Sequence, residues 1–111
     1  MILYHGTNCD ILKPDPRKGH RGTDFGQGFY LTPDMESARN MASLVVAREG
    51  TGCRTINVFE FDEVAARLAG LMTPAMMLSI MKDRPWRVVQ YSFHTLRSVR
   101  FLKLKEVWHE Q

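Results

Sequence analysis

The sequence predicts an α+β fold, and three observations carry that reading. Residues 54–61 alternate cleanly over a strand's length. Residues 33–48 place Ala38, Met41, Ala42, Val45 and Val46 at three- and four-residue spacing, the single apolar stripe of a helix. Just before that helix, Phe29, Tyr30 and Leu31 form a short run of aromatic and branched residues suited to a strand. A chain of 111 residues is expected to form one domain, 1–111, with a single core.

The elements follow in order. Ile2-Leu3-Tyr4-His5 reads as a short strand ended by Gly6. A polar loop of about 18 residues comes next, longer than a structural connection needs, and carries Arg17, Lys18 and Arg21. Gly26 and Gly28 then flank Gln27 and allow a tight entry to the aromatic strand. Thr32 is the expected N-cap of the helix, with Pro33 at its first position. Asp34 and Glu36 in the first turn and Arg48 in the last suit the macrodipole, and Gly50-Thr51-Gly52 ends the helix.

In 54–61, Ile56, Val58 and Glu60 face one way and Thr55, Asn57, Phe59 and Phe61 the other. Asp62 is expected to cap a short helix over 63–69, closed by Gly70. Thr73-Pro74 repeats the cap pattern for a methionine-rich helix over 75–82, ended by Arg84-Pro85. Its methionines, with Met72, read as pliable core or a partner groove. Residues 87–93 read as a strand. His94-Thr95 is expected to cap a short helix with Val99 and Leu102 on one side, and 102–108 alternate as a closing strand.

Composition narrows the function classes. Hydrophobic residues at 44% and charged residues at 24% describe a globular chain rather than a disordered one. No apolar run approaches bilayer length and the start lacks a signal peptide's basic and apolar regions, so a cytoplasmic protein without membrane association is expected. The net charge of +3 is mild, but basic residues gather over 13–21 and 82–105. That distribution admits a nucleic-acid-binding domain, which would show a salt-dependent affinity. Cys9 and Cys53 are too few and too far apart for a disulfide scaffold or a zinc site and read as free thiols. His20, His94 and His109 show no metal-ligand spacing, so no metal is expected. Gly26-Gln27-Gly28 is not a dinucleotide fingerprint, because the third glycine is absent and the strand follows the glycines.

One ordered set of motifs goes further. Tyr4-His5-Gly6-Thr7, a basic loop, Asp24-Phe25-Gly26-Gln27-Gly28-Phe29-Tyr30-Leu31-Thr32 and then a helix resemble a small bacterial family of uncharacterised proteins in the ADP-ribosyltransferase superfamily. Gln90-Tyr91-Ser92-Phe93-His94-Thr95 and Phe101-Leu102-Lys103 look like that family's C-terminal signature. The likeness covers 2–61 closely and 88–104 more loosely. It implies a split, mostly antiparallel sheet with flanking helices and an NAD+ cleft between its halves. The connection over 63–86 is shorter than in that family, and Leu96 and Arg97 stand where an acidic residue is expected.

The resemblance also implies roles. His5 would hydrogen-bond the adenine-side ribose of NAD+, and the Gly6 backbone would pair with the nicotinamide amide. Tyr30 would stack on the nicotinamide ring, while Arg17, Lys18 or Arg21 would neutralise the pyrophosphate. Thr7, Phe25 and Gly28 complete the expected NAD+ contacts. Gln90 would take the third catalytic place beside His5 and Tyr30, orienting the nicotinamide-side ribose; being neutral, it brings no full negative charge. Glu60, a rival for that acidic role, reads as a surface residue beside Asp62.

The expected activity is transfer of ADP-ribose from NAD+ to a protein or nucleic-acid acceptor, as in the toxin of a toxin–antitoxin pair, with an antitoxin as partner. Two alternatives share the fold: NAD+ hydrolysis, and a catalytically silent NAD+-binding or protein-interaction module. Taken singly, His5 reads as a hydrogen-bonded structural histidine, Tyr30 as core and Gln90 as a plain polar strand residue; only together do they read as a pocket.

Overall fold

A computed structural model describes residues 1–18, 27–72, 80–83 and 89–110. Its elements are β1 (Ile2–Thr7), β2 (Phe29–Leu31), α1 (Met35–Glu49), β3 (Arg54–Phe61), α2 (Glu63–Leu68), β4 (Ile80–Asp83), β5 (Gln90–Phe93) and β6 (Leu102–Glu110). Short 3-10 turns stand at Pro16–Lys18 and Ser98–Phe101. The fold is α+β. Among the described residues there are two three-stranded antiparallel sheets, ordered β1-β3-β6 and β2-β5-β4.

The alternation of β3 separates two cores. Its Phe59 and Phe61, with Leu3 of β1 and Leu102 of β6, face Phe29, Leu31, Tyr91 and Phe93 of the other sheet. Three aromatic pairs lock that interior edge to face: Phe61–Phe93 at 5.1 Å, Phe61–Tyr91 at 5.7 Å and Phe29–Phe59 at 5.7 Å. The opposite side chains of β3, Ile56 and Val58, bury Ala38 and Ala42 of α1. The molecule is therefore layered as helix, sheet, aromatic core, sheet. Small residues on α1 let it lie close: a Cβ on Gly6 of β1 would sit 1.9 Å from the Ala38 carbonyl oxygen.

Capping differs from expectation at one helix and agrees at the other. Asp34, not Thr32, caps α1, accepting from Ser37 N at 2.9 Å. Thr32 instead forms a bridge with Tyr4 of β1, which holds it in extended backbone, and its Oγ1 accepts from Asp34 N. Pro33 therefore precedes the helix. Hydrogen bonding to Ser37 holds the Asp34 carboxyl below its usual range. Gly50, at φ 70°, closes α1. Met41 of the apolar stripe is 46% exposed, because the contact with β1 and β3 is made through Ala38, Ala42 and Val45. Asp62 caps α2 as expected, accepting from Ala65 N, and Gly70 at φ 76° follows it.

Four other readings change. β1 runs through Gly6 to Thr7, held there by its ladder with β3. Ile80–Asp83, expected within a helix over 75–82, is a strand paired with β5; residues 73–79 lie outside the described set. A short apolar segment is ambiguous by period, and pairing along β5 decides it. The shortened 63–86 connection thus still supplies a strand. β5 begins at Gln90, and β6 continues to Glu110. Glu60 lies at the surface, paired with the Met1 ammonium at 3.1 Å.

Candidate functional site

The candidate site lies at the seam between the two sheets, where β1 meets β2. In an antiparallel strand, successive residues aim their backbone groups to alternate sides. Met1 O accepts from Phe61 N at 2.8 Å, so Leu3, His5 and Thr7 bond toward β3. Tyr4 faces the other way and exchanges both bonds with Thr32, at 2.8 and 2.9 Å. Gly6 has the parity of Tyr4, so its N–H and C=O point away from β3 toward the β2 side.

A continued ladder would pair Gly6 with Tyr30. It stops instead after the single Tyr4–Thr32 bridge. His5 replaces the missing rung: its Nδ1 donates to the Tyr30 carbonyl at 2.6 Å. The Gly6 backbone groups are left with no ladder partner among the described residues, although Gly6 is buried. Buried backbone groups are almost always paired, so this adjacent donor and acceptor stand out at the seam.

The state of His5 follows from its surroundings. Its ring stacks on Phe29, with centroids 4.1 Å apart. Burial lowers its pKa to about 4, and the bond to the Tyr30 carbonyl opposes part of the fall. The imidazole is therefore neutral at pH 7. A carbonyl only accepts, so the proton sits on Nδ1 and Nε2 keeps an acceptor lone pair.

Tyr30 leaves β2 on the face opposite Phe29 and Leu31, beside Ser92 of β5, its register partner. Gln90, two residues from Ser92, shares that face about 7 Å along the strand. It is partly buried and pairs in register with Asp83 of β4. Strand alternation sends the His5 and Tyr30 rings to opposite faces of the seam, with Gly6 beside them on β1. His5 and Gly6 of β1 thus meet Tyr30 of β2 at the seam, and Gln90 lies farther along β5 on the Tyr30 face.

The remaining expected contacts divide. Arg17 O accepts from Gln27 Nε2, which fastens the Pro16–Lys18 turn beside the start of β2. The Arg17 guanidinium is engaged by Asp15, at 3.0 Å from Nε and 2.9 Å from Nη2, and it holds that carboxyl down to about 2. Lys18 is exposed on the same turn. Thr7 ends β1 opposite Thr55. Arg21 and Phe25 lie outside the described residues.

Sequence reasoning missed three contributors. Phe29 supplies the surface on which His5 stacks. His94, read as part of a helix cap, instead bridges the site: Nδ1 donates to Gln27 O and Nε2 accepts from Ser92 Oγ, both at 2.9 Å. Its ring stands edge-on to Tyr30 at 6.0 Å. Gly28 admits it, since a Cβ there would lie 2.8 Å from His94 Nδ1. Thr95 Oγ1 accepts from Ser98 N at 3.1 Å, but the residue that flanks the 3-10 turn is Arg97, which makes no side-chain cap bond. Asn57, opposite His5 and fully buried, accepts from Ile11 N at 2.8 Å and donates to Cys9 O at 3.1 Å, folding the loop after β1 back over the sheet. The local signal for Asn57 was an amide on the inward side of an otherwise apolar strand.

Away from the seam, an open groove of about 360 Å³ runs between the end of α1 and the start of β3 and contains none of these residues. No group of three or more potential metal ligands occurs among the described residues. No described helix is long and apolar enough to cross a membrane.

The architecture defines an α+β protein with two packed antiparallel sheets and a splayed seam. The chain belongs to a family described as "Protein of unknown function (DUF3990)", whose model matches residues 1–73. That match takes in β1, β2, α1, β3 and α2, and hence the Gly6–Tyr30 side of the seam, but not Gln90. No curated protein and no solved structure matches the chain.

Proposed function

We propose that the seam binds NAD+ and that the protein transfers ADP-ribose to a macromolecular acceptor. One observation carries the reading: the Gly6 N–H and C=O point together into the opening between β1 and β2. A donor and an acceptor side by side complement a primary carboxamide, the group nicotinamide presents. Tyr30 offers an aromatic face at the same opening, favourable for a planar cationic ring. His5, neutral and with Nε2 as an acceptor, suits a ribose hydroxyl donor.

Chemically, the C1′–N bond to nicotinamide breaks, the leaving group departs neutral, and C1′ bonds to the acceptor while the acceptor's proton is released. The protein's task is to hold the dinucleotide and to stabilise a cationic sugar as the bond breaks. Gln90 orients the ribose through neutral dipoles. That neutral group is also the observation favouring a second reading, an NAD+-binding module without turnover.

The test is calorimetric titration with NAD+ followed by a nicotinamide-release assay on the same sample. The proposal expects binding that is lost in His5→Ala and Tyr30→Ala proteins that remain folded. Release accompanied by labelled protein or nucleic acid identifies a transferase, and release with free ADP-ribose alone identifies a hydrolase. Binding without release selects the silent module. No binding at millimolar NAD+ overturns the assignment.

A further inference from the structure

His94 stands just past the end of β5, two residues from Ser92, and its ring reaches the face of the sheet that carries Tyr30. Three separate features fix the imidazole there. Gly28 leaves room for it, since a Cβ at that position would lie 2.8 Å from Nδ1 and 2.9 Å from Cε1. The Gln27 carbonyl accepts from Nδ1, and Ser92 Oγ meets Nε2, each at 2.9 Å. Both partners are themselves held. Gln27 Nε2 donates to the Arg17 carbonyl, and Ser92 is fully buried.

The ring fixed in this way borders Tyr30. Their centroids are 6.0 Å apart and their planes meet at 84°, the edge-to-face arrangement that aromatic pairs favour. Phe29 and Leu31, on either side of Tyr30, are buried in the core, whereas Tyr30 is only partly buried on the opposite face. Core packing therefore does not set its ring. Both imidazole nitrogens are already engaged, so His94 acts by where its ring stands, and not as a base or a ligand contact.

We infer that His94 is a positioning residue, which sets the plane of the Tyr30 ring and so the aromatic face that the seam offers to nicotinamide. The inference rests on the reading that the seam binds NAD+. A ring held in place before the ligand arrives loses less freedom on binding. Without His94 the Tyr30 side chain turns among its rotamers, and the stacked arrangement has to be ordered when NAD+ binds. A merely structural histidine, present only to satisfy Ser92, would lower stability without any dependence on Tyr30.

The experiment titrates NAD+ calorimetrically into the wild type, His94→Ala, Tyr30→Ala and the double variant. His94→Ala is expected to weaken binding about twofold to tenfold, the size of an aromatic pair's interaction. Once Tyr30 is alanine, the same change should have no further effect. Equal losses in both backgrounds, or unchanged affinity in a folded His94→Ala protein, overturn the inference. If the alanine variant does not fold, His94→Asn replaces it, with an amide to donate to Gln27 O but no ring, and carries the same expectations. A second readout needs no ligand: three-bond couplings of Tyr30 should report one χ1 rotamer in the wild type and averaged rotamers in the His94 variant. One fixed rotamer in both overturns the inference. Wild-type protein that binds no NAD+ overturns the parent reading and this one together, whereas wild-type binding with any of the contrary results overturns this one alone.

Discussion

His5 bonds to the main chain of Tyr30 rather than to its side chain. The imidazole Nδ1 donates to the Tyr30 carbonyl at 2.6 Å, the place a Gly6 N–H would take if the β1–β2 ladder continued. One side chain thus substitutes for a backbone rung, lets the two sheets separate and leaves the Gly6 backbone facing the opening. The bond survives any substitution of the Tyr30 ring, so the two residues can be tested separately.

Tyr30→Ala is expected to weaken NAD+ binding by about 1–3 kcal/mol, the range for aromatic stacking on a base. The fold should persist, because Tyr30 is only partly buried and its carbonyl remains. Calorimetry with NAD+, checked by circular dichroism, separates the two effects. A protein that unfolds instead assigns Tyr30 to the core.

Gln90 should act on turnover more than on binding. Gln90→Ala is expected to lower kcat of nicotinamide release with a smaller change in NAD+ affinity; equal losses would remove its transition-state role. Gln90→Glu adds the full negative charge that a cationic sugar favours and should raise release by on the order of tenfold or more.

The buried imidazole makes stability depend on pH. His5 titrates near 4 in the folded chain and near 6.5 when unfolded. Between those values the unfolded state binds the extra proton, so its contribution is fully present above pH 6.5 and is lost as pH falls toward 4. The loss should be roughly 2 kcal/mol, allowing for the partial exposure of the ring. Urea unfolding across this window, compared with His5→Gln, should show the wild-type curve falling more steeply on acidification.

Gly6→Ala should destabilise the fold by roughly 3 kcal/mol or more, since the new methyl would meet the Ala38 carbonyl at 1.9 Å. The glycine is therefore required by α1 as well as by the opening. Loss of NAD+ binding in this variant would say nothing of amide recognition unless denaturant unfolding showed an intact fold.

Asn57→Ala removes both bonds that fold the loop after β1 onto the sheet. A cost of about 2–4 kcal/mol is expected, because Ile11 N and Cys9 O lose their partner and a cavity remains. Hydrogen exchange should rise first at Ile11, ahead of β3.

Much of the architecture was readable because it rests on near neighbours. The caps at Asp62 and Gly50 and the alternation from Thr55 to Phe61 are local patterns that recur in the structure, and of the helix stripe Ala38, Ala42 and Val45 are buried while Met41 is exposed. Thr32 misled because its hydroxyl and proline neighbour fit a cap locally, whereas a single bridge to Tyr4 holds its backbone extended. Ile80–Asp83 misled because four residues carry no period, and its partner, β5, lies across a connection. His94 looked like a cap beside Thr95 until Gln27 and Ser92 were brought to its two nitrogens.

By itself the sequence determined the α+β class, the central strand with two unlike faces, and the presence of His5, Gly6 and Tyr30 on short strands. Only the tertiary structure decided which backbone groups those strands leave unpaired, which proton His5 carries, and that the Asn57 amide holds the loop after β1. Local pattern records which face a side chain prefers. The parity of a ladder, the point where it stops, and the meeting of distant residues depend on how separate strands dock.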